Sequence, residues 1–268
     1  MAIITISRES YSWGNKIAEK TAAKLGYSAI DREALIEASK VFNIPEIKLT
    51  KAIHDAPSIL ERFTYGKERY ISYIKATLLK HVQQDNIVYH GLAGQFFLKD
   101  ISHTLKVRII ADFEDRVANE MEREKISRED AIHQLKKDDM ERMRWSQSLY
   151  GIDTHDSSLY DLIIHIKALT IDNAVDIICE TARLKQFQAT PESQKKLNDL
   201  VIEASVKAEL VSRIPHSTVS CTDGDVLVRF KEQPDINDKT IDEIESISKR
   251  ITGVKTVKVE VLPAKYRD

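Results

Sequence analysis

The sequence predicts an α/β protein, in which a parallel sheet with helices on both faces is followed by a small α+β domain. Up to about residue 185, short β-branched runs alternate with helical patterns, which is typical of such a sheet. The linker-like stretch "FQATPESQ" interrupts this alternation, and an α-β-β-α-β order follows it. A chain of 268 residues is long enough for two domains. We therefore expect domains at residues 1–188 and 192–268.

Hydrophobic periodicity defines the elements of the first domain. Four apolar runs predict buried strands, namely "AIITIS", "NIVYH", "LKVRIIA" and "YDLIIHI". Helical patterns cover residues 15–24, 47–84, 112–147 and 171–185. Within the second pattern, Tyr70, Tyr73 and Leu78 recur at helical intervals, which favours a core or helix–helix contact over a base-binding platform.

The second domain has its own helices and strands. Leu197, Val201 and Ala204 mark one face of its first helix. The stretch "STVSCTDGDVLVRF" predicts a hairpin that turns on Asp223 and Gly224, because this dipeptide tolerates the positive φ angles of a tight turn. Isoleucines in "TIDEIESISKRI" predict a second helix, and the alternating valines of "VKVEV" predict a closing strand.

Charge and composition limit the possible partners. Forty basic residues nearly balance 42 acidic ones, so no global field attracts nucleic acid or an anionic membrane. The start "MAIITIS" lacks a basic region, and no apolar run approaches the roughly 20 residues of a membrane span. We expect a cytoplasmic protein with no membrane insertion. Cys179 and Cys221 have no metal-type spacing and are expected to be buried thiols, so no metal site is predicted from protein ligands.

The stretch "ISRESYSWGNKIAEKTAAKLG" stands where a phosphate-binding loop would lie, between a strand and a helix. In such a loop, backbone N–H groups surround phosphates at the helix N-terminus. Placing Gly14 at the second glycine of G-x-x-x-x-G-K-[ST] puts Glu9 at the first glycine, Asn15 at the lysine and Lys16 at the hydroxyl residue. The residues alone leave two interpretations open, an anion-binding loop and a simple β–α turn.

The first 185 residues resemble the cytidylate kinase-like family of P-loop nucleoside monophosphate kinases. The resemblance rests on "ITISRESYSWGNKIAEKTAAKLGYSAIDREALI", "IVYHGLAGQFFL", "LKVRIIADFEDRVANEMEREKISREDAI", "KKDDMERMRW" and "YDLIIHIKALTIDNAVDII". It implies a P-loop kinase-type sheet and transfer of the ATP γ-phosphoryl group to CMP or a related acceptor, with Mg²⁺ bridging the donor phosphates.

The resemblance also implies roles for individual residues. Gly14 and Lys16 would face the donor phosphates, Asp31 and Arg32 would lie beside the acceptor phosphate, and Asp161 would contact the acceptor nucleoside. Lys137, Asp138, Arg142 and Arg144 would form a lid, which requires the charged helix to bend over the site; an exposed helix with no ligand contact is the alternative. Catalysis is thus assigned to Lys16 and Arg142, and nucleotide binding to Arg8, Ser12, Gly14, Asn15, Lys16, Asp31, Arg32, Lys137, Asp138, Arg144 and Asp161.

Several residues depart from the family pattern. Tyr11 and Trp13 stand in a loop that is normally rich in glycine, Asn15 replaces the lysine, and Leu92 follows Gly91 where relatives have arginine. Lys16, Arg8 or Lys99 are candidates to supply the missing charge. We therefore expect anion binding with weak triphosphate affinity and slow or absent catalysis, and we expect glycine at Tyr11 and Trp13 with lysine at Asn15 to raise ATP affinity. The alternative function is a non-catalytic nucleotide-binding or scaffold protein.

Residues 192–268 resemble a BON domain in the order of their helices, hairpin and closing valine strand. The resemblance implies an interaction or regulatory module for an unknown ligand or protein. An RNA-binding KH domain is the rival small α/β fold, but the Gly-x-x-Gly clamp is missing, so nucleic-acid binding is not expected. A homo-oligomer remains open.

Overall fold

The computed structural model describes residues 2–31, 65–91, 93–232 and 237–263. Within these ranges the first domain contains a five-stranded parallel sheet with the strand order β2-β3-β1-β4-β5. The strands are β1 (Ile3–Arg8), β2 (Ser28–Asp31), β3 (Ile87–His90), β4 (Thr104–Ala111) and β5 (Leu162–Ile166). The four strands predicted from apolar runs are confirmed, and β2 is an additional one.

Strand β1 lies at the centre of this sheet. It pairs in parallel with β3 on one side and with β4 on the other, so that Thr5 lies opposite Tyr89 and Lys106. The chain crosses to both sides of β1, and open α/β sheets bind ligands beyond the carboxyl ends of the strands at such a crossover point. The edge where β1 ends at Arg8 is therefore the expected ligand-binding edge of the sheet.

Helices cover both faces of the sheet, as predicted. One buried cluster joins β1 and β4 to the first and last helices of the domain through residues such as Ile4, Ile17 and Ile178. The opposite face packs on the long second helix through Ile3, Leu78 and Tyr89. The helices are α1 (Gly14–Leu25), α2 (Gly66–Val82), α3 (Gly94–Phe97), α4 (Phe113–Glu124), α5 (Arg128–Tyr150) and α6 (Ile171–Ala182).

Helices α4 and α5 form a helical hairpin that carries the predicted lid residues. Lys125 ends α4 with a positive φ of 57°, and Ser127 caps α5 by accepting a hydrogen bond from the N–H of Asp130. The two helices share a small apolar cluster that contains Val117 and Leu135. Tyr11 from the loop after β1 packs against this cluster, so the hairpin and the loop form one packed unit.

The C-terminal part has the predicted α-β-β-α-β order. Its elements are α7 (Pro191–Leu210), β6 (Thr218–Thr222), β7 (Asp225–Lys231), α8 (Asp238–Lys249) and β8 (Thr256–Leu262). The predicted hairpin turn is confirmed, with φ angles of 57° at Asp223 and 83° at Gly224. Strand β8 pairs with β7 in parallel and completes a three-stranded sheet.

Helix α7 belongs to both cores. Leu197, Val201 and Ala204 lie in the core of the first domain, together with the α2 residues Tyr70 and Tyr73. A second face of α7, which includes Ile202 and Val206, packs against the small sheet. The predicted core role of the aromatic stretch in α2 is confirmed. Helix α7, which lies in the predicted second domain, therefore completes the core of the first.

Other predicted features concern the thiols and the membrane. Cys179 is buried and Cys221 is half-buried, and both are free thiols. Burial is the largest cause that raises the pKa of each thiol, so neither is activated as a nucleophile.

None of the helices in the described ranges combines the length and apolar character that a membrane span needs.

Candidate functional site

A small cleft opens at the carboxyl edge of the five-stranded sheet, and we call it the carboxyl-edge cleft. Its cavity volume is about 60 Å³. One water needs roughly 10–15 Å³ of such volume, so the part of the cleft that the described residues line has room for a small anion. It is lined by Ser7, Arg8, Glu9, Gly91, Arg108, Asp139, Arg142, Met143, Thr154 and His155.

Three arginines from different elements converge on this cleft. Arg8 ends β1, Arg108 lies on β4 beside Ser7, and Arg142 lies on α5. Burial is the largest cause that lowers the pKa of Arg8 to about 10, and the charge of Arg142 is the next. Within the described part of the chain, the Arg8 side chain makes no hydrogen bond or ion pair. Like charges held this close are stabilised by a bound anion.

Gly14 allows Arg8 to reach the cleft. A Cβ atom at Gly14 would lie 2.5 Å from Cδ and 2.8 Å from Cβ of Arg8. The stem of Arg8 therefore runs across the first residue of α1, where only glycine leaves enough space. Gly14, which is predicted to face a phosphate, fixes the path of this cation toward the cleft in the structure.

Arg108 is held by Tyr160 and was not predicted. It is buried, and its Nη1 donates to the Tyr160 hydroxyl at 3.3 Å. The guanidinium also lies 5.6 Å from the centre of the Tyr160 ring. The Tyr160 hydroxyl in turn donates to the carbonyl of Thr154 at 3.0 Å, which links Arg108 to the segment before β5. An arginine inside the apolar run "LKVRIIA" is the signal that could have identified it.

His155 also lines the cleft and was not predicted. Its Nδ1 lies 2.9 Å from the Asp153 carboxylate, which also accepts the His155 backbone N–H at 2.9 Å. These two hydrogen bonds are the main causes that lower the pKa of Asp153, and the charge of Arg108 is a minor one. The segment before β5 thus contributes a fixed imidazole to the rim.

The loop after β1, residues 9–13, keeps a glycine-like backbone without glycine. Tyr11 and Trp13 both have φ of 60°, in the left-handed region that favours glycine. The Ser12 hydroxyl is buried and contacts the carbonyls of Glu9 and Ile109 at 3.0 and 3.2 Å, so it braces the loop. Tyr11 and Trp13 thus adopt, at a cost, a backbone conformation that glycine takes freely.

The side chain of Tyr11 lies outside the lining of the cleft and binds the α4–α5 hairpin. Its hydroxyl donates to Asp138 and accepts from the Gln134 amide at 3.3 Å. Arg123 lies 4.6 Å from the centre of the Tyr11 ring, and Asn119 donates to the Tyr11 carbonyl at 3.1 Å. Burial, followed by the hydrogen bond to Asp138, raises the pKa of Tyr11 to about 12. The bulky residue is therefore an anchor for the hairpin rather than a plug in the cleft.

Asp139 connects the same hairpin to the loop backbone. Its carboxylate accepts the N–H of Ser10 at 3.2 Å and the Arg116 guanidinium at 2.8 Å. Arg116 also donates to the Ser10 carbonyl at 3.2 Å and lies 3.7 Å from the Glu9 carboxylate. Glu9 accepts the N–H of Ala111 at 3.2 Å, which ties this network to the end of β4.

The predicted lid residues separate into two groups. Arg142 lines the cleft and Asp138 binds Tyr11, whereas Arg144 is exposed outside the cleft. Residues two positions apart on an α-helix point in nearly opposite directions, so one helix cannot aim both arginines at one site. Lys137 is exposed and lies 3.9 Å from Glu141 on its own helix. Arg142 and Arg144, which are predicted to form the lid together, therefore face different surroundings in this conformation.

Several other predicted residues lie outside the lining of the cleft. Asn15 donates to Glu19 at 3.2 Å on the exposed side of α1, and Lys16 is exposed beside it. Asp161 precedes β5 and accepts the N–H of Lys106 at 2.8 Å, away from the carboxyl ends of the strands. Lys99 is exposed in the turn after α3.

Of the two residues predicted to lie beside the acceptor phosphate, the structure describes only Asp31. Asp31 ends β2 at the carboxyl edge, opposite His90 in the register with β3, which is the edge that the prediction requires. Arg32 and Leu92 fall outside the described residues. The predicted packing of Trp13 and Trp145 fits the structure, since Trp13 contacts the core and Trp145 is buried beside Tyr70.

A magnesium ion would find few protein ligands here. The described residues contain no group of three or more His, Cys, Asp or Glu side chains that could hold a metal. The carboxylates at the cleft, Glu9 and Asp139, are both paired with Arg116. These residues do not fit a resident metal site, so any Mg²⁺ would arrive with a nucleotide, held by phosphate oxygens and water.

The fold and the site together define the class of protein. A parallel sheet of this strand order, a loop and helix N-terminus after the central strand, and arginines at the carboxyl edge are those of a P-loop kinase-type α/β fold. Residues 3–168 match the model of the cytidylate kinase-like family, and the chain belongs to this family.

Individual relatives agree with this assignment. A cytidylate kinase of Sulfolobus acidocaldarius is 27% identical over 176 residues, which cover 65% of this chain and 91% of that protein. A cytidylate kinase of Saccharolobus islandicus is 25% identical over 201 residues, or 74% of this chain and 99% of that protein. An uncharacterized protein from Eubacterium ventriosum has a similar fold, with a TM-score of 0.54, 22% identity, and coverage of 68% of this chain and 98% of that one.

Proposed function

We propose that this protein is a nucleoside monophosphate kinase that transfers the γ-phosphoryl group of ATP to CMP or a related monophosphate. The observation that carries the proposal is the convergence of Arg8, Arg108 and Arg142 on an anion-sized cleft at the carboxyl edge of β1. Membership of the cytidylate kinase-like family supports a kinase of this type, and the names of the two curated relatives favour cytidylate as the acceptor.

The arginines would act mainly through charge. Phosphoryl transfer needs little covalent help, but negative charge spreads over the transferred group and must be stabilised away from water. Arg8 and Arg108 approach the group from the sheet, and Arg142 approaches it from the hairpin. The free N–H groups at the start of α1 add the positive end of the helix dipole. Arg142 keeps the catalytic role predicted for it, whereas Lys16 would have to reach in from the surface.

The hairpin would exclude water during the transfer. The α4–α5 hairpin would open for the substrates and close over them, as lids of this kind do in other enzymes. Met143 lies at the cleft and is 45% exposed, which leaves an apolar side chain at the mouth, where a nucleobase would enter.

A non-catalytic nucleotide-binding protein is the second candidate. The specific observation in its favour is that Asn15 stands at the lysine position of the loop and bonds Glu19, so it adds no charge toward the cleft. In the non-catalytic protein, the three arginines would bind the nucleotide phosphate, but no phosphoryl transfer would follow.

Turnover across a panel of acceptors separates the two candidates. Purified protein is incubated with Mg-ATP and CMP, dCMP, UMP, AMP or GMP, and nucleoside diphosphate is measured by anion-exchange chromatography. The kinase proposal predicts diphosphate formation with a cytidine acceptor, and this formation is lost in Arg142→Ala and retained in Arg144→Ala. ATP binding without diphosphate from any acceptor would favour the non-catalytic candidate instead.

The C-terminal part is proposed to be a BON-like interaction module. Support comes from its α-β-β-α-β order and from the sharing of α7 with the first core, which would couple anything bound by the small sheet to α2. Isolation of the full chain with and without residues 237–268, followed by measurement of CMP turnover, tests whether this part regulates the kinase domain.

A further inference from the structure

The Asp139 carboxylate lies inside the cationic cleft, among groups that would otherwise face a phosphate. It lines the cleft together with Arg8, Arg108 and Arg142. One carboxylate oxygen accepts the Ser10 N–H at 3.2 Å, and the other accepts from Arg116 at 2.8 Å. A backbone N–H of the loop after the central strand is a phosphate donor in folds of this type. In this structure the Asp139 carboxylate accepts the N–H of Ser10 instead.

We propose that Asp139 is an internal competitor for the phosphate group, which holds the α4–α5 hairpin closed until a nucleotide displaces it. The proposal rests on the proposed function, because it assigns the ligand of the cleft as a nucleotide phosphate. A carboxylate and a phosphate oxygen accept the same charge-assisted hydrogen bonds, so they exclude each other at the Ser10 N–H. Displacement of the Asp139 side chain releases α5 from the loop, so that the hairpin opens for a nucleotide and Arg142 then closes on its phosphate.

Tyr11 positions Asp139 on the loop. Its hydroxyl binds Asp138, the residue before Asp139, and its ring packs under Arg123. Arg123 is itself held by two hydrogen bonds of 2.8 Å to the buried Glu120. The hairpin is therefore fixed to the loop at two adjacent residues, one bound through a side chain and the other through a backbone N–H.

This arrangement changes the interpretation of Tyr11. Glycine at position 11 would remove the Asp138, Gln134 and Arg123 contacts together, so it would release the hairpin rather than only widen the loop. The predicted rescue by glycine at Tyr11 and Trp13 with lysine at Asn15 would therefore combine two opposed effects. It would add space and charge in the loop, and it would remove the contacts that fix the hairpin to the loop. A change at Asp139 isolates one of them.

The test compares the full-length wild-type protein with Asp139→Asn and with Glu129→Gln. Both variants remove one negative charge from α5, but Glu129 is exposed in the first turn and lies outside the cleft. Hydrogen–deuterium exchange of the ligand-free proteins measures protection of the Ser10 amide. Exchange at Ser10 should be about tenfold faster in Asp139→Asn, because a neutral amide oxygen is a weaker acceptor than a carboxylate, and unchanged in Glu129→Gln.

Isothermal titration with Mg-ATP supplies the second readout. Asp139→Asn should bind Mg-ATP about tenfold more tightly than the wild type, because the competing carboxylate is gone, and Glu129→Gln should match the wild type. Tyr11→Phe keeps the ring but loses the hydroxyl bond to Asp138, and should show intermediate exchange at Ser10. Unchanged exchange, or equal Mg-ATP affinity in wild type and Asp139→Asn, would overturn the competitor role and leave the kinase proposal standing. Absence of Mg-ATP binding in both proteins would overturn the proposed function, and the competitor role with it.

Discussion

Arg142 and Arg144 share one helix but face different surroundings. Arg142 lines the cleft, and Arg144 is exposed on the other side of α5. Similarly, Arg8 reaches the cleft only because Gly14 leaves space for its stem. At the scale of single residues, the site depends on direction and space as much as on charge.

Arg142→Ala tests the direction of the helix. The variant should weaken Mg-ATP binding or CMP turnover by about 1.5–3 kcal/mol, the value of a hydrogen bond to a charged group. Arg144→Ala is the matched control and should change neither quantity, because its side chain points to solvent. Circular dichroism and urea denaturation establish that both variants fold. Unchanged Mg-ATP binding and CMP turnover in Arg142→Ala would return α5 to an exposed helix without a role in the site.

Gly14→Ala tests the space that Arg8 needs. Because the new methyl group would lie 2.8 Å from Cβ of Arg8, circular dichroism and urea denaturation must first establish that the variant folds. Its new methyl group, at 2.5 Å from Cδ of Arg8, should push the arginine out of the cleft and weaken Mg-ATP binding about tenfold or more. Asn15→Ala changes the neighbouring exposed residue and should leave affinity unaltered. Full affinity in Gly14→Ala would show that Arg8 does not hold the ligand.

At the scale of elements, the loop and the hairpin were predictable to different degrees. Strands β1, β3, β4 and β5 follow from apolar runs, but the four residues of β2 carry too little pattern to be seen. The direction of Arg108 depends on strand register, and the contacts of Tyr11 join residues 127 positions apart, as in its bond to Asp138. Sequence patterns report local periodicity, so these long-range contacts needed the folded structure.

The alkaline pH dependence of stability tests the bond between loop and hairpin. Because the pKa of Tyr11 is raised from 10.0 to about 12, its neutral form stabilises the folded state. That contribution should be complete below pH 10 and should disappear as the pH rises toward 12. Urea denaturation of wild type and Tyr11→Phe measures it as the difference in free energy of unfolding. A difference that persists unchanged through this pH range would exclude the phenol as the donor to Asp138.

At the scale of the whole molecule, α7 makes the small sheet a continuation of the larger domain. The change from strand–helix alternation to an α-β-β-α-β order predicted a domain boundary near residues 188–192, and α7 does begin at Pro191. They did not predict that α7 would complete the core around α2, because an amphipathic pattern does not identify the partner of each face.

Limited proteolysis tests this continuity. Cleavage between residues 186 and 194 should give two fragments that elute together in size-exclusion chromatography under native conditions, because Leu197 and Val201 stay buried against α2. The nicked protein should unfold in a single cooperative transition. Separation into two stable, folded fragments would show instead that the two domains fold independently.

A crystal structure of the protein grown with Mg-ATP and CMP would locate the bound phosphate group directly. Phosphate density is expected within hydrogen-bond distance of Arg8, Arg108 and Arg142, with Asp139 withdrawn from the Ser10 N–H. Phosphate bound elsewhere on the chain, with the three arginines and Asp139 arranged as in this structure, would contradict the assignment of the carboxyl-edge cleft as the phosphoryl-transfer site.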